Sequence, residues 1–345
     1  MIKQNRMKIN YSLFILCCLL ISCIPQKSQQ DFLVKKTEKP STKLSPIVAT
    51  IVLPTATITI STPNNTATSE EKFDKITEHS IETITPNLKL IPEDWKKWPI
   101  IPTVSANAKS IYKYGLKMGN EENKFSKIGD CQNISTYFLS IYDNPKLYNL
   151  GLEYNYLQEA IDFFNGSFSR NSIATKGGMN VASVLSHYWA DKKLCNAYES
   201  PLLCELRLNN PSIVLISMEE TWGSNNKVEN YEKYMRQIID TVIDSGAVPI
   251  LATKADNKEG EHQINQTIVR LAYQYDIPLW NFWLAVQPLP NHGLLDDGFH
   301  LTHGFYDFSE PINLNQAWPV RNLTALQVID AVWRQLNGLP LQSNK

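Results

Sequence analysis

Short apolar runs alternate with amphipathic segments over most of the chain, and few folds can accommodate that order. Four runs have the length and continuous apolar character of strands covered on both faces: Phe125–Ile128, Ser212–Ser217, Ala247–Thr253 and Pro278–Asn281. Three segments place apolar side chains at helical spacing: Glu229–Asp244, His262–Tyr275 and Leu323–Leu336, the last with Asn322 as its expected N-cap. This order predicts an α/β fold, a three-layer α/β/α sandwich with a parallel sheet, in one domain over residues 91–345.

The predicted sheet indicates where a functional site would lie, because sites in such sheets form outside the carboxyl ends of the strands. The segments that follow the predicted strands are Gly129–Cys131, Met218–Trp222 and Lys254–Asp256, and a polar loop at Asp296–His300 comes later. The sequence contains neither a phosphate-binding Gly-rich loop nor a dinucleotide fingerprint, and its six histidines have no metal-ligand spacing. We therefore expect no cofactor and no metal.

The N-terminal residues have the layout of a secretory signal. Basic residues precede the apolar stretch Tyr11–Ile21, which is shorter than the roughly 20 residues of a membrane-spanning helix. The stretch ends in Leu-Ile-Ser-Cys23, which resembles the lipobox of bacterial lipoproteins. The resemblance implies a lipoprotein signal peptide over residues 1–22, lipidation of Cys23, and a place on the extracellular side of a bacterial membrane, lipid-anchored or secreted. An ordinary signal peptide and a short uncleaved anchor are the alternatives.

Residues 23–90 are polar and rich in Thr, Ser, Pro, Lys and Glu, with prolines spaced through the segment. Such a segment cannot bury enough apolar surface to offset the entropy of ordering it. We expect a disordered tether that holds the following domain away from the membrane. The apolar run Ile47–Leu53 keeps a second interpretation open, a poorly packed N-terminal subdomain.

Charge and composition exclude several classes of protein. The 33 Lys and Arg residues nearly balance 34 Asp and Glu residues, for a net charge of −1. A chain with that balance has no overall positive field for nucleic-acid phosphates. Its hydrophobic content of 43% is that of a globular chain and excludes disorder throughout.

The predicted domain contains three cysteines, an odd number, so one of them lies outside any disulfide pair within the domain. Cys195 and Cys204 are close in sequence and, outside the cytoplasm, form the expected disulfide. Cys131 is left outside that pair. A lone cysteine is usually a small buried hydrophobe, but this one directly follows a predicted strand in the sequence Gly-Asp-Cys.

A predicted strand leads into Ile128–Cys131, and Asp297–His300 precedes the last predicted helix. In these two places the chain resembles the SGNH hydrolases, also called the GDSL esterase/lipase family. The resemblance covers roughly residues 92–340, nearly the whole predicted domain. Members of this family are three-layer α/β/α proteins that hydrolyse esters, often acyl groups on carbohydrates or lipids. Their nucleophile is the serine of a Gly-Asp-Ser turn, and their catalytic Asp and His lie in an Asp-x-x-His loop.

The resemblance assigns roles to particular residues. Cys131 takes the place of the nucleophile, His300 that of the base and Asp297 that of the carboxylate that orients it. The oxyanion donors would be the backbone amides of Cys131 and Gly178 together with Thr221. We expect Cys131 to lie at the turn from a strand into a helix, whose N-terminus would lower the thiol pKa.

Two departures from the family pattern bear on activity. Cysteine replaces serine, and the third motif has Glu219 and Thr221 where the family has Gly and Asn. Loss of one oxyanion donor costs on the order of 3 kcal/mol of transition-state stabilisation. A carboxylate such as Glu219 near a site of developing negative charge is also unfavourable.

Two functions are therefore consistent with the sequence. The first is a surface-tethered ester hydrolase that acts through Cys131, His300 and Asp297 on a small-molecule or glycan ester. The second is an inactive pseudo-hydrolase that binds a glycan or a protein partner. In both cases we expect a monomer that contacts the membrane through its N-terminal lipid and does not bind nucleic acid.

Overall fold

The computed structural model describes residues 90–218 and 227–342. Its sheet has four strands in the order β1-β2-β3-β4, and every neighbouring pair is parallel. The strands are β1 Glu121–Gly129, β2 Pro211–Ser217, β3 Val248–Ala252 and β4 Leu279–Trp280. All four predicted strands are confirmed, and β2 is buried at every position, as its continuous apolar run indicates.

Seven α-helices lie within the described ranges. They are α1 Ala106–Met118, α2 Gln158–Phe163, α3 Pro201–Asn209, α4 Val228–Asp244, α5 Gln263–Tyr275, α6 Phe282–Val286 and α7 Ala317–Leu336. The helices predicted over Glu229–Asp244 and His262–Tyr275 correspond to α4 and α5, which begin within one residue of the predicted positions. No helix in the described residues is long and apolar enough to cross a bilayer.

The helices form two layers around the sheet. The helices α3, α4 and α5 each connect one strand to the next strand in the sheet. Because the chain moves across the sheet in one direction and such crossovers are right-handed, all three helices lie on the same face of the sheet. The helices α1 and α7 contact each other and cover the opposite face. The predicted three-layer sandwich is therefore confirmed, whereas the expected signal peptide and tether lie outside the described residues.

The register of the sheet aligns the carboxyl ends of its strands. Gly129 of β1 pairs with Ser217 of β2, and Ala252 of β3 pairs with Trp280 of β4. The loops that follow the strands therefore leave the sheet at one edge, which is where sites form in this architecture.

The last helix starts earlier than the sequence predicts. We expected Asn322 to cap it, but α7 begins at Ala317 after an N-cap at Gln316. Pro319 lies in the first turn, where its missing N–H costs no intrahelical hydrogen bond. Asn322 is buried inside the helix, where its Oδ1 accepts from the N–H of Leu139 at 2.6 Å.

The predicted disulfide is present. Cys195 and Cys204 are bonded, with their Cα atoms 5.3 Å apart, and they join the loop before α3 to that helix. A crosslink that closes so short a loop stabilises the fold by about 2.7 kcal/mol in the chain-entropy account.

A buried lysine in β1 makes stability depend on pH. Lys127 is almost fully buried, and its Nζ donates to the Ser135 hydroxyl at 3.0 Å and to the Phe168 carbonyl at 2.7 Å. Burial, followed by the charge of Arg170, lowers the pKa of Lys127 to about 7. The unfolded chain, with an ordinary lysine pKa, then binds more protons than the native state between pH 7 and about 10.

We expect the free energy of unfolding to rise with pH in this interval, by at most about 1.4 kcal/mol per pH unit from this residue. Urea unfolding at several pH values between 7.5 and 9.5 measures the slope. In Lys127→Met the slope should be smaller by that amount, because the titrating group is gone. Equal slopes in the two proteins would show that Lys127 is not neutral in the native state.

Candidate active site

The turn after β1 carries the proposed nucleophile. Cys131 is buried, with 8% of its surface exposed, and it is not part of the disulfide. A Cβ atom on Gly129 would lie 2.1 Å from the Asn133 side chain and 2.5 Å from the Ser217 carbonyl oxygen. Only glycine fits there, so the chain needs this residue to bring the Cys131 turn against the end of β2.

The expectation that Cys131 begins an α-helix is wrong. Cys131–Asn133 is a single 3-10 turn, and Ile134 after it is extended. The buried Asp130 side chain accepts from the Gln132 N–H at 3.2 Å and shapes the turn. One short turn has too few aligned peptides to build a macrodipole, so a helix N-terminus is not available to lower the thiol pKa.

A buried arginine in α7 ties the Cys131 turn to the sheet. Arg321 Nη2 donates to Asn133 Oδ1 at 3.2 Å and to Ser217 Oγ at 2.9 Å. Asn133 Nδ2 in turn donates to the Ser217 carbonyl at 2.7 Å. The guanidinium is also 4.8 to 5.2 Å from the centres of three aromatic rings, those of Phe138, Trp280 and Phe282. Sequence analysis missed this residue, because α7 also contains other charged and polar residues and nothing local distinguishes Arg321 from them.

The segment that leads into Gly177 and Gly178 lies beside the end of β1. Gly129 donates its N–H to Ala174 O at 3.1 Å and accepts from Lys176 N–H at 3.3 Å, and it forms a parallel bridge with Thr175. This short pairing extends the sheet beyond β1 and brings Gly178 to the same edge as Cys131. Gly178 has a φ of +78° and is exposed. A residue with a Cβ would be strained in that conformation.

Asp297 and His300 form a close pair within one loop. Asp297 Oδ2 is 2.5 Å from His300 Nδ1, and Asp297 Oδ1 accepts from the backbone N–H groups of Phe299 and His300, both at 2.9 Å. The His300 hydrogen bond, with these two amides, lowers the pKa of Asp297 to about 2. Because Nδ1 faces the carboxylate, the Nε2 atom of His300 is the nitrogen available for proton transfer.

Two hydrogen bonds to backbone carbonyls stabilise this loop. Leu295 N–H donates to His300 O at 2.8 Å, and the Lys258 side chain donates through Nζ to Asp297 O at 2.5 Å. Lys258 lies in the segment after β3 in which the buried Lys254 pairs with Asp256 at 2.8 Å and with Glu259 at 2.5 Å. Burial opposes the charge of Lys254, but the two carboxylates outweigh it and raise the Lys254 pKa.

The first turns of α7 bring the Cys131 turn and the His300 loop to one region. Trp318 N–H donates to the Thr302 carbonyl at 3.0 Å, which fixes the loop that carries His300. One turn later, Arg321 contacts the residue two positions after Cys131. Between described residues, the hydrogen bonds of the His300 side chain include none to Cys131, and that side chain is 53% exposed.

A cleft of about 850 Å³ opens beside Asp297, and its lining includes Leu294, Asp296, Thr302, Asn315 and Gln316. Neither Cys131 nor His300 is among the described residues that line it. The expected third oxyanion donor, Thr221, and the neighbouring Glu219 lie outside the described residues.

Comparisons with known proteins give little further information. No protein-family model matches this chain, and no curated protein matches it. Among solved structures, it is similar to the psychrotrophic esterase EstA from Pseudoalteromonas sp., in a form inhibited by monoethylphosphonate. That alignment has 14% sequence identity and a TM-score of 0.35, and it covers 59% of this chain and 94% of the esterase.

Proposed function

We propose that this protein is an SGNH-like ester hydrolase, tethered to the outer side of a bacterial membrane, that uses Cys131, His300 and Asp297 on an acyl ester of a carbohydrate or lipid. The observation that carries the proposal is the Asp297–His300 pair, with 2.5 Å between Oδ2 and Nδ1. The loop that carries this pair is hydrogen-bonded through the Thr302 carbonyl to Trp318 in the first turn of α7, and Arg321 of the same helix contacts the Cys131 turn. A carboxylate that orients a histidine near a nucleophile is an arrangement that supports acyl transfer.

The proposed reaction has two steps. The Cys131 thiol loses its proton to His300 Nε2, and the sulfur attacks the carbonyl carbon of the ester. The carbon–oxygen bond to the alcohol breaks, His300 returns the proton to the departing alcohol, and a thioester remains on Cys131. In the second step His300 takes a proton from water, the hydroxide attacks the thioester, and Cys131 leaves with the proton restored.

Two backbone amides are the proposed donors to the developing oxyanion. They belong to Cys131 and Gly178, and the bridge between Gly129 and Thr175 supports their placement at one edge of the sheet. Preorganised donors of this kind commonly make the largest single contribution to acyl transfer. Since a thiolate is a stronger nucleophile than an alcohol, the cysteine variant is expected to acylate readily and to require water for release.

The test is an acylation experiment on the full chain in mild detergent. We expect p-nitrophenyl acetate to produce an acetyl adduct that peptide mass spectrometry assigns to Cys131. The adduct should be absent in Cys131→Ala, and it should form on the order of 10²–10⁴-fold more slowly in His300→Ala, since general base catalysis is lost.

His303→Ala is the matched control for this experiment. His303 lies three residues beyond His300, is exposed, and stacks over Trp318 with 6.4 Å between ring centres. Its variant should acylate at the wild-type rate. Equal acylation in His300→Ala and the wild type would mean that Cys131 reacts as a thiol without assistance from His300. The inactive, ligand-binding interpretation would then replace the hydrolase.

A further inference from the structure

The segment before α3 exposes several large apolar side chains close together. We call residues 187–198 the aromatic lobe. Tyr188 and Tyr198 are 83% and 85% exposed, and Leu194 is 54% exposed. Trp189 is also exposed, and so is Leu203 on α3, the residue before Cys204, which the disulfide joins to Cys195 of the lobe. Single exposed apolar residues are common, but a contiguous group of this kind marks an interaction surface.

The rings of the lobe contact one another and do not fold back onto the core. The His187 ring lies between the two tyrosines, with its centre 4.1 Å from that of Tyr188 and 5.5 Å from that of Tyr198. The backbone beneath them is fixed by the Cys195–Cys204 disulfide and by Arg207, which donates to Leu194 O at 3.2 Å. The apolar side chains are therefore presented outward on a rigid base, so binding would require little ordering of the chain.

Lysines surround these rings. Lys176 Nζ is 5.6 Å from the centre of the Trp189 ring, and the exposed Lys192 and Lys193 lie at the turn between Trp189 and Leu194. The lobe itself contains one acidic residue, Asp191, which accepts from Lys193 N–H at 2.8 Å and keeps its negative charge. Glu199, just beyond the lobe, pairs with Arg207 at 2.7 Å. The positive charges of Lys176, Lys192 and Lys193 thus outnumber that of Asp191, although the chain as a whole has a net charge of −1.

We propose that the aromatic lobe binds the surface of a lipid bilayer that contains anionic lipids. Tyr and Trp side chains prefer the interface between hydrocarbon and water, because they have an apolar ring and a polar group. Lysines beside them attract anionic headgroups, and the exposed leucines add apolar contact. A sugar polymer would use the flat rings but would gain little from Leu194 and Leu203.

The lobe lies next to the candidate active site. Lys176, which covers Trp189, directly precedes Gly177 and Gly178, and its N–H bonds to Gly129 at the end of β1. A domain that binds through the lobe would therefore hold this edge of the sheet close to the lipid. The inference goes beyond the proposed hydrolysis and does not require Cys131 to be a nucleophile, so Cys131→Ala should bind the bilayer like the wild type.

The experiment measures how fast an amine-reactive reagent labels individual lysines of the full chain, read by peptide mass spectrometry. Vesicles are either phosphatidylglycerol mixed with phosphatidylcholine, or phosphatidylcholine alone. The local readout matters because the N-terminal apolar stretch of the chain can hold every variant on the vesicle. We expect slower labelling of Lys176, Lys192 and Lys193 on the anionic vesicles, and unchanged labelling of Lys113 and Lys117 on α1.

Variants separate the aromatic from the electrostatic contribution. In the double variant Tyr188→Ser and Tyr198→Ser, vesicles should no longer slow the labelling of the lobe lysines. In Tyr114→Ser, which changes an exposed tyrosine of α1, vesicles should slow that labelling as in the wild type. In Lys192→Gln combined with Lys193→Gln, the lipid needed to protect Lys176 should increase by about fivefold for each lysine. These residues are on the surface, so the fold should be retained, and circular dichroism checks this.

Two outcomes would overturn the proposal. The first is that vesicles protect the lobe and the α1 lysines equally, which would mean general proximity to the bilayer. The second is that vesicles have no effect while a soluble acidic polysaccharide, polygalacturonate, protects the three lobe lysines. The lobe would then be a glycan-binding surface.

Discussion

Asp297→Asn is expected to lower the rate of p-nitrophenyl acetate turnover by on the order of 10²–10⁴-fold. The Asp297 carboxylate accepts from His300 Nδ1, so it holds the imidazole in the tautomer that leaves Nε2 unprotonated. An asparagine amide can donate to Nδ1, and the proton of the ring would then lie on Nε2, where a base is needed. The measurement is kcat for the variant and the wild type at the same pH.

Asp296→Asn is the matched control for this variant. Asp296 directly precedes Asp297 and is also exposed. Its replacement by asparagine removes the same charge from the same loop. We expect its rate to stay within a few-fold of the wild type. A comparable loss in both variants would assign the effect to the charge of the loop and would remove the orienting role from Asp297.

The low pKa of Asp297 keeps its carboxylate ionised over the acid side of the pH profile. A carboxyl group with a native pKa of about 2 stays ionised above about pH 3. Because this pKa is depressed, its favourable contribution is present above the ordinary pKa of aspartate and is lost as the pH falls through the native value. Protonation of Asp297 should therefore not limit the rate at pH 4 and above.

Glu205→Gln is expected to lower the free energy of unfolding by about 3–5 kcal/mol, the largest stability effect we anticipate. The Glu205 carboxylate is completely buried on α3 and accepts from the Ser126 hydroxyl at 2.5 Å and from Ile173 N–H at 2.9 Å. It also forms a close ion pair with Arg170. A neutral side chain leaves the guanidinium partly buried without its counter-charge, which is costly.

Glu121→Gln provides the comparison on β1. Glu121 pairs with Lys124 at 2.7 Å, but 47% of the Glu121 side chain is exposed. Loss of such a surface pair should cost less than about 1 kcal/mol. Urea unfolding of both variants measures the difference. A cost near that of Glu121→Gln in the Glu205 variant would show that the buried pair does not support the fold.

The Glu205 network also connects stability to the candidate site. Its acceptor bond to Ile173 N–H fixes the segment that continues to Thr175 and Gly178 beside β1. The glycine amide proposed as an oxyanion donor therefore depends on a carboxylate that lies far along the sequence. The Glu205 variant should accordingly lose esterase activity at urea concentrations where the wild type is still active.

Local sequence patterns predicted much of the fold. The positions of β2, α4 and α5 and the close disulfide partners follow from apolar periodicity and from short-range spacing, because neighbouring residues largely decide them. The pairing of Asp297 with His300 is similarly local, since both belong to one four-residue stretch. The start of α7 was missed because the first turn accepts a proline that usually ends a helix.

Other features were decided by contacts between residues far apart in the chain. The apolar periodicity of β1 does not reveal that the Cys131 turn is a single 3-10 turn, because Ser217 of β2 and Arg321 of α7 hold it through hydrogen bonds to Asn133. The placement of Gly178 likewise depends on the strand-like pairing of Thr175 with Gly129, which no local sequence pattern indicates. Local sequence determines which side chains are available and much of their local conformation. Which side chains come into contact is decided by the packing of separate elements, because that packing depends on burial and hydrogen bonding summed over the whole fold.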